Sequence, residues 1–267
     1  MPKVKVGDIN MYYEIHGKGE PLVFIPGGGA SVEMILPRLA VFSGEYKTVA
    51  FDHRGIGRSD VPDMLYTMEM FANDLAGLLD TIGIKAAHIY GTSFGSMVGQ
   101  YFAIGYPGKV KSLILASSSC GFTHGILSED HKKYIAGVLK MAPEERAGLI
   151  IRMFVTREFA DKNPEFVRRM REGLLKQTAF SLGQIRVMQA GWSADTYERL
   201  PQVKAPTLII HGEADNTFPV KNARILASRI PNAELVILEG AGHVLIEAGE
   251  EPNRIALDFL RRHRTKK

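Results

Sequence analysis

A chain of 267 residues, 45% hydrophobic and 23% charged, can bury one substantial core and has no stretch with the composition of a disordered or low-complexity segment. Its formal charge of +4 and pI near 9.0 come from the last seven residues, RRHRTKK, whose five Lys/Arg leave −1 on the rest, so the tail is expected to be a solvated, frayed end and no nucleic-acid partner is expected. The opening MPKVKVGDINMYYEIHG lacks a signal-like apolar core, no apolar run could span a bilayer, and the single Cys120 excludes an intramolecular disulfide and paired-cysteine metal motifs, which together point to a cytoplasmic protein without a membrane partner.

The predicted elements begin with two β-rich runs, MYYEIH (11–16) and PLVFIPG (21–27), the second opening into the glycine run of FIPGGGAS. KTVAFD (47–52) follows and leads into DHRGIGRSD, where Asp52 is expected to fix the loop through turn hydrogen bonds. The amphipathic stretch 68–84 places Phe71, Leu75, Leu78, Leu79 and Ile82 on one helical stripe. AAHIYG (86–91) breaks at GTSFG and resumes with helical spacing, and KSLILASS (111–118) is the next strand. Between 119 and 203 the alternation stops. That segment reads as helices only, joined to its surroundings by SSSCGFTHG and RLPQVKAP, both hinge-like in composition. PTLIIHG (206–212) and AELVILEG (233–240) complete the strands. A βαβα order means helices covering a mostly parallel sheet; the reading divides the chain into a core, 1–118 and 204–267, and a helical insertion, 119–203.

In such sheets ligands bind beyond the carboxyl ends of the strands, so residues at strand-to-helix turns face substrate. Ser93 is at such a turn. Gly91 and Gly95 beside it are explained if a Cβ at either would collide with neighbouring backbone, which leaves the serine strained and its hydroxyl raised at a helix N-terminus. A serine hydroxyl needs a base, and the base an orienting acid. Asp215 follows one predicted strand, with Glu213 as its nearest rival, and His243 follows the last strand. The other seven histidines lie at other strand ends, inside a strand, in the insertion or in the tail. The N–H of Phe94, after the nucleophile, and the glycine loop are positioned to receive an oxyanion. Neither glycine run completes a phosphate-binding fingerprint.

With PLVFIPGGG, DHRGIGRSD, GTSFGS, HGEADNTFP and GAGHVLIE in this order, the chain resembles the α/β-hydrolase superfamily over essentially its whole length. The resemblance implies an eight-stranded, mostly parallel sheet flanked by helices, a helical cap inserted after the sixth strand, and oxyanion donors at Gly28 and Phe94. Many members have His-Gly where this chain has Pro26-Gly27, so Gly29 stays open as the alternative to Gly28. Ser93 is unlike the aspartate of haloalkane dehalogenases and epoxide hydrolases, the glycine loop lacks the aromatic of cofactor-free haloperoxidases, and Val244 replaces the Trp usual in meta-cleavage hydrolases. The small carboxylesterase and enol-lactonase group remains. It implies a small ester or lactone substrate and no cofactor or metal; a carbon–carbon bond hydrolase or lyase, or a ligand-sensing module keeping the triad, are the alternatives. Met141, Met153, Phe154, Phe159, Phe180, Met188 and Trp192 are candidates to line an acyl pocket, with Trp192 the one assigned to substrate.

Overall fold

The computed structural model describes residues 3–176 and 179–265; Lys266 and Lys267 of the basic tail lie outside them. Eight strands form one sheet: β1 Lys3–Val6, β2 Ile9–His16, β3 Glu20–Ile25, β4 Tyr46–Phe51, β5 Ala87–Thr92, β6 Val110–Ala116, β7 Thr207–Gly212 and β8 Glu234–Leu238. Their spatial order is β1-β2-β4-β3-β5-β6-β7-β8. Pairing is antiparallel between β1 and β2 and between β2 and β4, and parallel from there to β8. Seven of these match the runs read from the sequence. The eighth, β1, is a four-residue edge strand, KVKV, with only Val6 buried, too short and too polar to announce itself.

The middle strands are apolar on both faces because both are covered. Leu113 and Leu115 of β6 face one core with Phe71, Val98 and Phe102; Ile114 and Ala116 face the other with Phe42, Tyr90 and Phe259. This is the period-two alternation of a strand buried on two sides. Helices α2 (Met68–Thr81) and α3 (Phe94–Gly105) supply the first layer, α1 (Val32–Ser43) and α10 (Glu251–Arg262) the second. Helix α2 starts where Thr67 accepts the Met70 N–H, and its expected stripe is buried from Phe71 to Leu79, each large side chain contributing roughly 2 kcal/mol. Asp52 acts as expected: one carboxylate oxygen accepts the Val32 N–H at the start of α1 (2.7 Å), the other the Arg58 N–H (2.8 Å).

Between β6 and β7 the regular elements are helical: α4 (Glu129–Gly137), α5 (Pro143–Phe154), α6 (Arg157–Lys162), α7 (Pro164–Lys176), α8 (Leu182–Trp192) and a 3-10 turn, Tyr197–Gln202. Helix α9 (Lys221–Arg229) lies between β7 and β8. No helix among the described residues is long and apolar enough to cross a membrane.

The tail corrects one expectation. Its described part is neither frayed nor free: Arg261 and Arg264 pair with Glu45, Arg262 pairs with Glu234, and the Thr265 N–H donates to Glu20 (3.1 Å). The Arg264 guanidinium also lies 4.5 Å from the centre of the Tyr46 ring. A block of like charges looks repulsive in a linear reading because the glutamates that pair with it, at 45 and 234, arrive only through folding. Each exposed pair is worth at most about 1 kcal/mol; together they anchor the end of α10 to the sheet.

Candidate active site

The turn from β5 to α3 is made by one residue. Ser93 has φ 54° and ψ −122°, a region that side chains rarely occupy, and its N–H is held by the Ala116 carbonyl (2.9 Å). Both flanking glycines are required by close approach. A Cβ on Gly91 would meet the Gly95 carbonyl oxygen and the Ser96 Cα at 2.5 Å, and one on Gly95 would overlap the carbonyls of Ile25 and Pro26 at the end of β3. The glycine pattern of the sequence thus reports a helix pressed against two strand ends.

Three loops meet at the carboxyl edge of the sheet. His243, after β8, places Nε2 2.9 Å from Ser93 Oγ and Nδ1 2.8 Å from Asp215 Oδ2. Asp215, after β7, accepts the N–H groups of Thr217 (2.7 Å) and Phe218 (2.9 Å) on its other oxygen. His211 Nε2 lies 3.2 Å from Asp215 Oδ2 and 2.7 Å from the Phe218 carbonyl. Burial alone would raise the Asp215 carboxyl, but His243, His211 and these hydrogen bonds outweigh it and hold the group well below the usual carboxylate range. An ionised acid therefore faces His243 Nδ1, which carries the proton, and the Nε2 lone pair faces the serine hydroxyl. Glu213 is exposed, in contrast to the buried Asp215.

The glycine loop runs along the elbow. A Cβ on Gly28 would sit 3.3 Å from Phe94 Cβ, whereas one on Gly29 would find its nearest neighbour, the Gln184 amide, at 4.0 Å. Phe94 N is the first amide of α3, where N–H groups lack intrahelical partners.

Of the apolar candidates from the insertion, Phe154 reaches the triad, its ring centre 5.6 Å from that of His243. Met153 is buried next to it, its carbonyl accepting the Thr217 hydroxyl (2.9 Å). Phe159 packs on Phe166, Phe180 stacks under Arg146, and Met188 meets Tyr134. Met141 lines a shallow groove with Lys133 and Leu149. Trp192 ends α8 half-buried; its neighbour Gly191 abuts the Phe94 ring, where a Cβ would come within 3.2 Å.

Four neighbours of these three residues were not singled out from the sequence. Phe218 flanks His243 at 5.7 Å between ring centres and His131 of α4 at 5.3 Å. His211 buttresses the acid, and Ser117 donates to the His243 carbonyl (2.6 Å). His211 and Phe218 lie within HGEADNTFP, but their contacts with Asp215 and His243 are not written in the motif, and Ser117 and His131 come from other elements with no fixed spacing to these residues. Cys120 is no rival nucleophile: burial pushes its thiol up to about 11.

Two buried imidazoles make stability depend on pH. His53, edge-on to Phe51, Phe71 and Phe94, and His131, bonded to the Thr217 carbonyl (3.0 Å), are each pushed down to about 4 by burial. Unfolding frees them to bind protons, so each contributes on the order of 3 kcal/mol that is complete above the unfolded value near 6.5 and is lost as pH falls to 4. Asp215 and Glu20, both held low, act in the same sense and lose their contribution as pH falls further, below the usual carboxylate values near 4. Tm is expected to fall steadily from pH 6.5 to 4; a flat Tm across that range would contradict the neutral burial of both rings.

Comparison with known proteins follows the same lines. The alpha/beta hydrolase fold family matches residues 20–250. A protein named as a putative carbamate hydrolase, from Stutzerimonas stutzeri, is 28% identical over 263 residues, covering 94% of this chain and 96% of that protein. The 2-hydroxy-6-oxo-6-phenylhexa-2,4-dienoate hydrolase of Comamonas testosteroni is 27% identical, with 96% and 93% covered. The crystal structure of the enol-lactonase from Burkholderia xenovorans superposes with a TM-score of 0.83 at 24% identity, with 97% and 100% covered, and shares the fold.

Proposed function

Because the chain belongs to the alpha/beta hydrolase fold family, we propose that it hydrolyses a small carboxylic ester or lactone through an acyl-enzyme on Ser93. The observation that carries this reading is the unbroken chain Asp215–His243–Ser93, with bonds of 2.8 and 2.9 Å. Ser93 Oγ attacks the carbonyl carbon as its proton passes to His243 Nε2, and the carbonyl π pair moves onto oxygen. The N–H groups of Phe94 and Gly28 receive that oxyanion; the position of Gly28 against Phe94 favours it over Gly29. Collapse expels the alkoxide, which takes the proton from His243. Water, deprotonated by His243, then attacks the acyl carbon and releases the acid and Ser93.

In this reading residues 119–203 act as the cap over a core of 1–118 and 204–267. Its support is the docking of the segment around Phe154 onto the histidine loop: the Val244 N–H donates to the Phe154 carbonyl (3.2 Å) and the Thr156 N–H to Glu247 (2.9 Å). Phe154 and Phe218, whose rings both pack against His243, make apolar surroundings suited to a small, uncharged acyl group. Trp192 is assigned to the substrate side of α8 on the same argument, through Gly191 and Phe94.

The test is a substrate panel with product analysis: p-nitrophenyl acetate and butyrate, a γ-lactone, an aryl carbamate and a vinylogous 1,5-diketone. Ester or lactone is expected to show the highest kcat/KM, with an acyl adduct on Ser93 in quenched samples. Faster cleavage of the carbamate or of the carbon–carbon bond would replace the substrate class, and binding without turnover would favour a sensor.

A further inference from the structure

The run Ser117-Ser118-Ser119, read from the sequence as part of a hinge, is completely buried where β6 ends, and each hydroxyl goes to a different place. Ser117 is in the left-handed region, φ 49°; its N–H is held by Ile210 of β7 (2.9 Å) and its Oγ donates to the His243 carbonyl (2.6 Å). The unusual backbone aims that hydroxyl at the histidine loop. Ser118 belongs to a directed chain. Gln100 Nε2 donates to Ser118 Oγ (2.9 Å), Ser118 Oγ and Ser96 Oγ are 2.6 Å apart, and Ser96 Oγ lies 2.5 Å from the Ser93 carbonyl. A hydroxyl has one proton, and a carbonyl only accepts. The bonds therefore run Gln100 to Ser118 to Ser96 to the Ser93 carbonyl.

That carbonyl belongs to the same peptide unit as the Phe94 N–H. A relay ending on the oxygen fixes the plane of this peptide and polarises its N–H, the donor assigned to the oxyanion. Ser119 differs from its neighbours. Its hydroxyl meets the Gly121 carbonyl (3.0 Å) and Asn222 (3.2 Å), binding the junction between β6 and the helical insertion without touching a triad loop.

We infer that Ser117 and Ser118 are positioning residues, one registering the His243 loop and the other the Ser93–Phe94 peptide, and that Ser119 serves the junction alone. The inference rests on the serine-hydrolase reading above. A single strand end thereby holds base and oxyanion donor in mutual register through two adjacent residues.

The experiment compares Ser117→Gly, Ser118→Ala, Ser96→Ala and Ser119→Ala with the unaltered protein and Ser93→Ala. Glycine at 117 deletes the hydroxyl and suits the positive φ, so backbone strain is not introduced. Turnover of p-nitrophenyl acetate is divided by active sites titrated with an organophosphate, so a partly unfolded sample does not count as a slow enzyme, and Tm is measured alongside. Ser117→Gly and Ser118→Ala should each lower kcat per site about tenfold with KM within about twofold. Ser96→Ala combined with Ser118→Ala should be no worse than either alone, since both break one relay. Ser119→Ala should lower Tm and leave kcat per site unchanged. Retention of kcat per site in both Ser117→Gly and Ser118→Ala, or an equal loss in Ser119→Ala, overturns the inference. If Ser117→Gly does not fold, Ser117→Ala takes its place. An active Ser93→Ala would overturn the serine-hydrolase reading instead, whatever the other variants do.

Discussion

Ser93→Ala is expected to lower kcat for ester hydrolysis by about 10⁵-fold or more, with Tm essentially unchanged. The variant keeps the Cβ, so the backbone at φ 54° is neither relieved nor strained further, and only the hydroxyl that His243 Nε2 faces at 2.9 Å is lost. His243→Ala should cost about as much, because the oxygen is a poor nucleophile without a base within reach. The two losses should not multiply: the double variant is expected to be about as slow as either single variant, with residual rate from the oxyanion donors and binding. Steady-state kinetics on p-nitrophenyl acetate with all three proteins checks this. Activity in Ser93→Ala comparable to that of the unaltered chain would remove the triad from the mechanism.

The second large effect is expected at the acid, where Asp215→Asn should reduce kcat by roughly 10⁴-fold. Both carboxylate oxygens are fully engaged: one accepts the Thr217 and Phe218 N–H groups, the other faces His243 Nδ1 and His211 Nε2. An asparagine that keeps its oxygen toward the two backbone amides must turn its NH₂ toward His243. The imidazole then accepts at Nδ1 and carries its proton on Nε2, where it can no longer take one from Ser93. Glu213→Gln, on an exposed side chain, should leave kcat within about twofold, as is usual for surface substitutions remote from the chemistry. A more severe loss at Glu213 than at Asp215 would reverse the assignment of the acid.

The sequence by itself determined the layered architecture and named the three residues, Ser93, Asp215 and His243, that meet at the carboxyl edge of the sheet. Seven of eight strands were legible, the central ones because strands buried on both faces are continuous apolar runs, and Gly91, Ser93 and Gly95 were legible because a turn this tight excludes side chains at fixed positions along the chain. Asp215 and His243 could be named because each follows a strand whose carboxyl end lies on the ligand-binding edge. All of these are local signals, in which neighbours in the chain are neighbours in space. Only the tertiary structure decided the rest. It showed that the basic tail is tied to Glu20, Glu45 and Glu234, that the rings of Phe154 and Phe218 both pack against His243, that His211 lies beside Asp215, and that the serines at the end of β6 reach the histidine loop and the elbow. Apart from His211 and Asp215, four residues apart, these contacts join groups from different loops or from opposite ends of the chain. Hydrogen bonds and ring contacts depend on distance in space, and a pair such as Ser117 and His243 acquires its short distance only when the parallel strands have been laid side by side.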